Sequence, residues 1–341
     1  MLDKILVPLD ESTLAESTLG HVMAIARAFN SKVTLLHVLE RSGVQEQAQV
    51  DPLDWHLRKV EAQTYLESLA ERGRALDLLV ESLVLEGPAA ARIIEHAHEQ
   101  EFDLIALSSH GRSGLSGWNV SSVAQKVIQR AYRSFLLVRA YQTGKDLQPS
   151  IGQPSIGQPS VAHYRRILVP LDGSQRAESV LPLAIRLARE HKAELLIAHL
   201  VARPEILPRT PLTAEDNELV ERLIERNRSE ATRYFEQLQS RLPAATQSRL
   251  HVGVPHPGDN VAAALHHLVE REEIDLVVLS AHGYTGDDLR SYGSLVATLI
   301  SYGATPLLVF QDLPAHEIKP TKAEEATQTN GTSRGPRKLD A

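Results

Sequence analysis

The sequence contains no cysteine. That absence excludes disulfide staples, thiol nucleophiles, zinc–thiolate sites and oxidation sensing through thiols. Aromatic residues are scarce, at 4%. Cores must therefore be built from Leu, Val, Ile and Ala. No window approaches the roughly 18 uncharged apolar residues that cross a membrane. Asp10 and Glu11 interrupt the first apolar stretch at once, so there is no signal-peptide core. The expectation is a soluble cytoplasmic protein without a membrane partner. Basic charge is not in excess either. Lys plus Arg is 36 against 43 for Asp plus Glu, a net charge of -7. This balance argues against a general nucleic-acid binder.

What is present is a repeat. The 341 residues allow two domains and a remainder. Residues 4–9 read KILVPL and residues 166–171 read RILVPL. A shift of 162 aligns 4–38 with 166–200 without a gap, with 14 identities in 35 positions. DLIALSSHG at 103–111 then matches DLVVLSAHG at 275–283 with a shift of 172. The second copy therefore carries ten extra residues in its middle. The expected organisation is domain one at 1–141, a linker at 142–163, domain two at 164–311 and a polar tail at 312–341. The linker repeats SIGQP, a composition too poor in apolar surface to offset the entropy of ordering.

Each copy alternates strand and helix signals. In copy one, apolar runs predict strands at 5–9, 33–38, 78–85, 103–107 and 135–138. Ser12 is placed to cap the first helix. Leu19, Val22, Met23, Ala26 and Phe29 recur at helical spacing. A helix over about 55–75 is expected to turn Leu57, Val60, Leu66 and Leu69 inward. Pro88 suits the first turn of the next helix. Copy two repeats the order with a longer middle helix through Leu219, Leu223, Tyr234, Phe235 and Leu238. Such alternation predicts an α/β fold: two tandem doubly wound parallel-sheet domains, Rossmann-like. Ligands in such folds bind outside the carboxyl ends of the strands, where strand order reverses.

Two loops lie at those ends in each copy. Pro8-Leu9-Asp10 and Pro170-Leu171-Asp172 follow the first strand. The aspartate suits hydrogen bonding to a ribose or base, and equally suits capping the next helix. Ser108-Ser109-His110-Gly111-Arg112-Ser113-Gly114 follows the fourth strand, and Ser280-Ala281-His282-Gly283-Tyr284-Thr285-Gly286 repeats it. Small residues let the backbone approach a ligand, and successive N–H groups form anion sites. The next helix starts ten residues later, at Ser121-Ser122 and at Gly293-Ser294. Backbone N–H groups at a helix start suit a phosphate. His110 and His282 read as turn histidines without a triad, His96/His98 and His266/His267 as solvated helix faces, and Trp118 as packing. No Walker A sequence, HxGH or SGGxDS loop is present.

The opening ILVPLD-x-S, the strand-two ends His37-Val38 and His199-Leu200, and the G-x-x-G-x9-G-S/T spacing together resemble the universal stress protein family, in its tandem two-domain form. The resemblance spans both copies and implies an adenine nucleotide alpha hydrolase-like fold. It implies adenosine contacts from Pro8 and Asp10, or Pro170 and Asp172. It places adenine against Val38 or Leu200. The pattern's first glycine is replaced by Ser108 and Ser280, and its second is kept as Gly111 and Gly283. The final pair departs in copy one, as Ser121-Ser122, and matches in copy two, as Gly293-Ser294. The flanking Leu107, Val123, Leu279 and Leu295 complete the implied cofactor-binding set. Arg112 is a candidate phosphate partner in copy one. Asp287 and Asp288 in copy two would repel a phosphate unless they point away or a divalent cation, Mg or Mn, intervenes. Copy two is favoured for its intact helix start.

The resemblance implies a stress-response regulator that binds ATP. With no general base beside a nucleophile, any hydrolysis is slow and incidental. The alternative is a nucleotide-free interaction scaffold. The resemblance also implies pairing through the last strands, 135–138 and 307–310, which the linker would let form an internal pseudo-dimer. A homodimer of two chains is a further expectation.

Overall fold

Each half opens on the same buried strand. β1 (Lys4–Pro8) carries Ile5, Leu6 and Val7 at 0% exposure, and β6 (Arg166–Pro170) carries Ile167, Leu168 and Val169 likewise. Such runs have no polar side because both faces of the strand are covered. A computed structural model gives the fold of residues 2–40, 51–111, 120–139, 161–204, 213–283 and 291–312. The linker expected at 142–163 is described only at 161–163, and the tail at 312–341 only at Asp312. Arg112, Ser113, Gly114, Trp118, Tyr284, Thr285, Gly286, Asp287 and Asp288 lie outside the described residues.

Half one continues with α1 (Thr13–Glu16), α2 (Thr18–Phe29), β2 (Lys32–Leu39), α3 (Pro52–Arg74), β3 (Leu79–Glu86), α4 (Ala89–Glu99), β4 (Leu104–Ser108), α5 (Ser122–Arg130) and β5 (Ser134–Val138). Half two continues with α6 (Gln175–Glu178), α7 (Leu181–His191), β7 (Glu194–Leu200), α8 (Ala214–Arg241), β8 (Ser248–Gly253), α9 (Val261–Arg271), β9 (Leu276–Ser280), α10 (Ser294–Tyr302) and β10 (Leu307–Phe310). The strands stand within a residue or so of their expected places. Pro88 is the N-cap of α4, one position before the first turn where it was expected.

The strands form one sheet in the order β3-β2-β1-β4-β5-β10-β9-β6-β7-β8. All pairings within a half are parallel. The seam is antiparallel, with Leu137 opposite Leu307, Leu136 opposite Leu308 and Phe135 opposite Val309. The two last strands thus cover each other's edges and join the halves as an internal pseudo-dimer. One apolar core lies on each face of the sheet, and each runs through both halves. Ile5, Val7, Leu136 and Leu308 face one core, Leu6, Leu137 and Leu307 the other. Fully burying one such side chain is worth about 1.5–3 kcal/mol.

The α2 and α7 helices meet across the halves. Tyr164, which leads into β6, is 1% exposed. Its hydroxyl lies 3.0 Å from His21 Nδ1 of α2, and its ring packs edge-on to His191 of α7 at 4.8 Å. Two residues earlier, the Ala162 N–H donates to the Gly20 carbonyl at 2.9 Å.

One expectation about α3 is corrected. Leu66 and Leu69 are buried, but Leu57 is 54% exposed and Val60 49% exposed. The periodicity marks the correct helix face over the last turns of α3. Over the first turns that face has no core beneath it. The same holds in α8, where Phe235 and Leu238 are buried while Leu219 and Leu223 are exposed.

Candidate functional site

Strand order reverses between β1 and β4 in half one, and between β6 and β9 in half two. The carboxyl ends of these strands carry the loops singled out from the sequence. Asp172 follows β6. Its Oδ1 accepts the Ser174 N–H at 2.9 Å, and Ser174 Oγ in turn accepts the Ala177 N–H at 3.1 Å, capping α6. Asp10, Ser12 and Ala15 repeat this, with 3.1 Å for each bond. One oxygen of each aspartate therefore builds the turn.

The other oxygen explains the glycine that follows the histidine. A Cβ placed on Gly283 would stand 2.2 Å from Asp172 Oδ2, and one on Gly111 would stand 2.0 Å from Asp10 Oδ2. No Cβ fits at either distance. The sequence pattern assigned these glycines to close approach by a ligand. The structure shows that the strand-one aspartate itself requires them. The residue after each aspartate is left-handed in both halves, Gly173 at φ 83° and Glu11 at φ 64°. Glycine meets that conformation without strain. Glu11 holds it with its carboxylate 3.9 Å from His37 Nε2.

The loop after the fourth strand begins and ends at one point. The Ser121 N–H donates to the Ser109 carbonyl at 2.8 Å, and the Gly293 N–H to the Ala281 carbonyl at 2.8 Å. The helix starts then differ. Ser121 is the N-cap of α5, and its hydroxyl accepts the Ala124 N–H at 3.2 Å. Gly293 is the N-cap of α10 and has no side chain to do so. The first-turn N–H groups of α10 thus keep their capacity for an anion.

In half two these parts enclose a cleft of about 300 Å³. Pro170, Asp172, Leu200, Leu279, Ser280, Gly283, Gly293, Ser294 and Leu295 all line it. That brings together every half-two residue of the sequence-derived set. Its apolar wall includes Leu200 with Val261 and Leu265 of α9. The volume is at the lower end of small-molecule sites. In half one, Pro8 ends β1, Val38 lies in β2, Leu107 and Ser108 end β4, and Ser122 and Val123 open α5.

Charge is arranged differently beneath the two loops. Glu178 of α6 is held by both terminal nitrogens of Arg241, at 3.0 and 3.1 Å. Its counterpart Glu16 accepts instead from the Tyr65 hydroxyl at 3.1 Å. His199 of β7 titrates below the usual histidine range because it is buried, with Asp172 opposing that shift.

Sequence reasoning missed Val261 and Leu265 of the apolar wall, and also Tyr292 and Asp312. Tyr292 lines the cleft, and burial raises its pKa. Asp312 lies beyond β10 with a side chain 2% exposed. Its Oδ1 accepts the His282 backbone N–H at 3.1 Å and faces His282 Nδ1 at 2.9 Å. His282 is therefore more than a turn residue: its ring is buried and held by a carboxylate. His110 instead pairs with Ser109 Oγ, at 2.9 Å. The signal for Tyr292 was its place before Gly293-Ser294. Nothing local marks Asp312, thirty positions from its partner.

The apolar wall, the carboxylate and the uncapped helix start make a cleft with one greasy side, one acceptor and one anion-binding corner. A nucleoside phosphate has the matching three parts. Among the described residues, no helix is long and apolar enough to cross a membrane.

A family model described as the universal stress protein family matches residues 1–139 and 163–311. Universal stress protein MJ0531 of Methanocaldococcus jannaschii is 28% identical over 139 residues, covering 40% of this chain and 81% of the relative. Universal stress protein YxiE of Bacillus subtilis is 27% identical over 149 residues, covering 41% of this chain and 100% of the relative. The fold is shared with a solved universal stress protein from Archaeoglobus fulgidus. That match has a TM-score of 0.59 and 16% identity, and covers 92% of this chain and 100% of the other.

Proposed function

The chain belongs to the universal stress protein family, and from that premise we propose that it is a cytoplasmic stress-response regulator that binds ATP in the cleft of half two. The observation that carries this reading is the cleft itself, with its three kinds of wall. Leu200, Val261 and Leu265 would take the adenine, as apolar surface suits a flat base. Asp172 would accept hydrogen bonds from the ribose hydroxyls. The backbone N–H groups from Gly293 and Ser294, with the Ser294 hydroxyl, would hold the phosphates. Magnesium or manganese would offset the charge that Asp287 and Asp288 bring to the connecting loop's sequence. The nucleotide supplies occupancy rather than a reaction, so partner choice or conformation carries the signal.

Half one supports the second reading, an interaction scaffold without nucleotide. Ser121 already occupies an N–H of its helix start with its own hydroxyl. On this reading both domains, 1–141 and 164–311, would serve assembly.

Calorimetric titration of the full chain with ATP, with and without magnesium, tests the assignment. One site per chain is expected, with tighter binding in magnesium. Mass spectrometry of small molecules released from the purified protein adds an independent check. No retained adenine nucleotide at millimolar concentration in either condition removes the nucleotide reading.

A further inference from the structure

The segments that wall the half-two cleft also hold the halves together, one residue apart. At the exit of β10, Gln311 bonds across the seam and Asp312 bonds to His282, which lines the cleft. The Gln311 backbone N–H donates to Ser134 Oγ of half one at 3.1 Å, and its side-chain amide donates to the Ser291 carbonyl at 3.1 Å. The next residue, Asp312, fixes His282, whose neighbour Gly283 lines the cleft. The entry of α10 repeats the alternation. The Ser291 hydroxyl donates to the Gln129 carbonyl in α5 of half one. Tyr292 lines the cleft and sets its ring edge-on to Phe135 of β5, 6.3 Å between centroids. Gly293, next in line, starts the helix at the cleft.

We propose that the seam and the half-two cleft are one coupled unit, in which half one positions the ligand site of half two and a bound ligand strengthens the docking of the halves. The physical reason is the lack of slack. Interiors this closely packed transmit a displacement rather than absorb it. A shift of β5 moves Ser134 and Phe135. It must then move Gln311 and Tyr292, and with them Asp312 and Gly293. Coupling free energy is reciprocal, so whatever the seam does for the ligand, the ligand does for the seam.

The arrangement is directed. By the 172-residue offset of the fourth-strand loops, the counterpart of Tyr292 is Val120 and that of Asp312 is Ala140. Half one has neither the ring nor the carboxylate that links cleft to seam. That the ligand is ATP rests on the function proposed above; the coupling does not.

The test uses the full chain and two substitutions outside the cleft lining, Ser134→Ala and Gln311→Ala. Calorimetry with Mg-ATP is expected to show affinity reduced about fivefold or more in each. Affinity within twofold of the parent in both variants overturns the coupling. Hydrogen exchange of the ligand-free chain gives a second readout that needs no nucleotide. Asp312→Asn, a change on the cleft side, is expected to speed exchange of the β5 amides across the seam. Unchanged β5 exchange also overturns the proposal. If the parent chain binds no Mg-ATP, the nucleotide assignment fails, and the exchange comparison still decides the coupling.

Discussion

Asp172 and Gly283 occupy one another's space: a Cβ on the glycine would lie 2.2 Å from the aspartate Oδ2. The pair joins the exits of β6 and β9, the strands that flank the reversal of strand order. The same contact stands between Asp10 and Gly111. An aspartate after the first strand and a glycine after the fourth are thus a single requirement, met twice.

Gly283→Ala should therefore destabilise the chain by about 1–3 kcal/mol, the usual cost of overpacking. Pairing it with Asp172→Ala removes the clash. The double variant should be less destabilised than the two single effects summed. Denaturant midpoints of the four proteins measure this, and strict additivity would show that the carboxylate yields freely.

The start of α10 offers a gentler perturbation. A Cβ on Gly293 would meet only the Ala281 carbonyl, at an ordinary 3.6 Å. Gly293→Ser should fold normally and gain a few tenths of a kcal/mol from side-chain capping. It should also lose about tenfold in ATP affinity, since the new hydroxyl takes an N–H that a phosphate would use. Unchanged affinity would remove the helix start from the site.

His21 sets a pH dependence for the joined halves. Burial pushes its pKa from 6.5 down to about 4, with Asp275 opposing. A histidine with a lowered folded-state pKa stabilises the fold fully above the unfolded value. That contribution falls away as pH drops from 6.5 through 4. The 2.5-unit difference corresponds to about 3 kcal/mol. Unfolding free energies at pH 7 and pH 4.5 should show most of this loss, and His21→Phe should flatten it. An NMR titration of His21 with a midpoint near 6.5 would contradict the assignment.

The two ends of α3 should respond differently to substitution. Leu57→Gln, at a half-exposed position, should change stability by less than about 0.5 kcal/mol. Leu66→Ala, at a position with 0% exposure, should cost about 2–5 kcal/mol. Thermal melts of both variants decide it.

The strand–helix alternation was legible because it is written locally, the repeat because two stretches of the chain match, and the pairing of the last strands because the family resemblance implies it. Ile5-Leu6-Val7 is apolar at three consecutive positions in a short run closed by Pro8 and Asp10, as in a strand covered on both faces. The exposure of Leu57 and Val60 was not legible, because periodicity gives a helix its face but not the extent of what lies beneath. The contacts of Asp312 with His282, Tyr164 with His21 and Tyr292 with Phe135 bridge 30 to 157 positions and leave no periodic trace. The half-two site set came from the resemblance to the universal stress protein family, carried by the strand-end motifs, and its nine residues share one cleft. The contact of Gly283 with Asp172 was not legible, since a sequence shows that a residue is small and not what it makes room for.

The lone antiparallel pairing in the sheet has a directional result. With β10 running against β5, every strand of one half points opposite to every strand of the other. The carboxyl edges of the halves therefore lie on opposite rims of one slab. The half-two cleft opens on one rim, while the equivalent loops of half one lie on the other. The molecule consequently has a front and a back, and a partner docked over the half-two cleft would leave the far rim open to another.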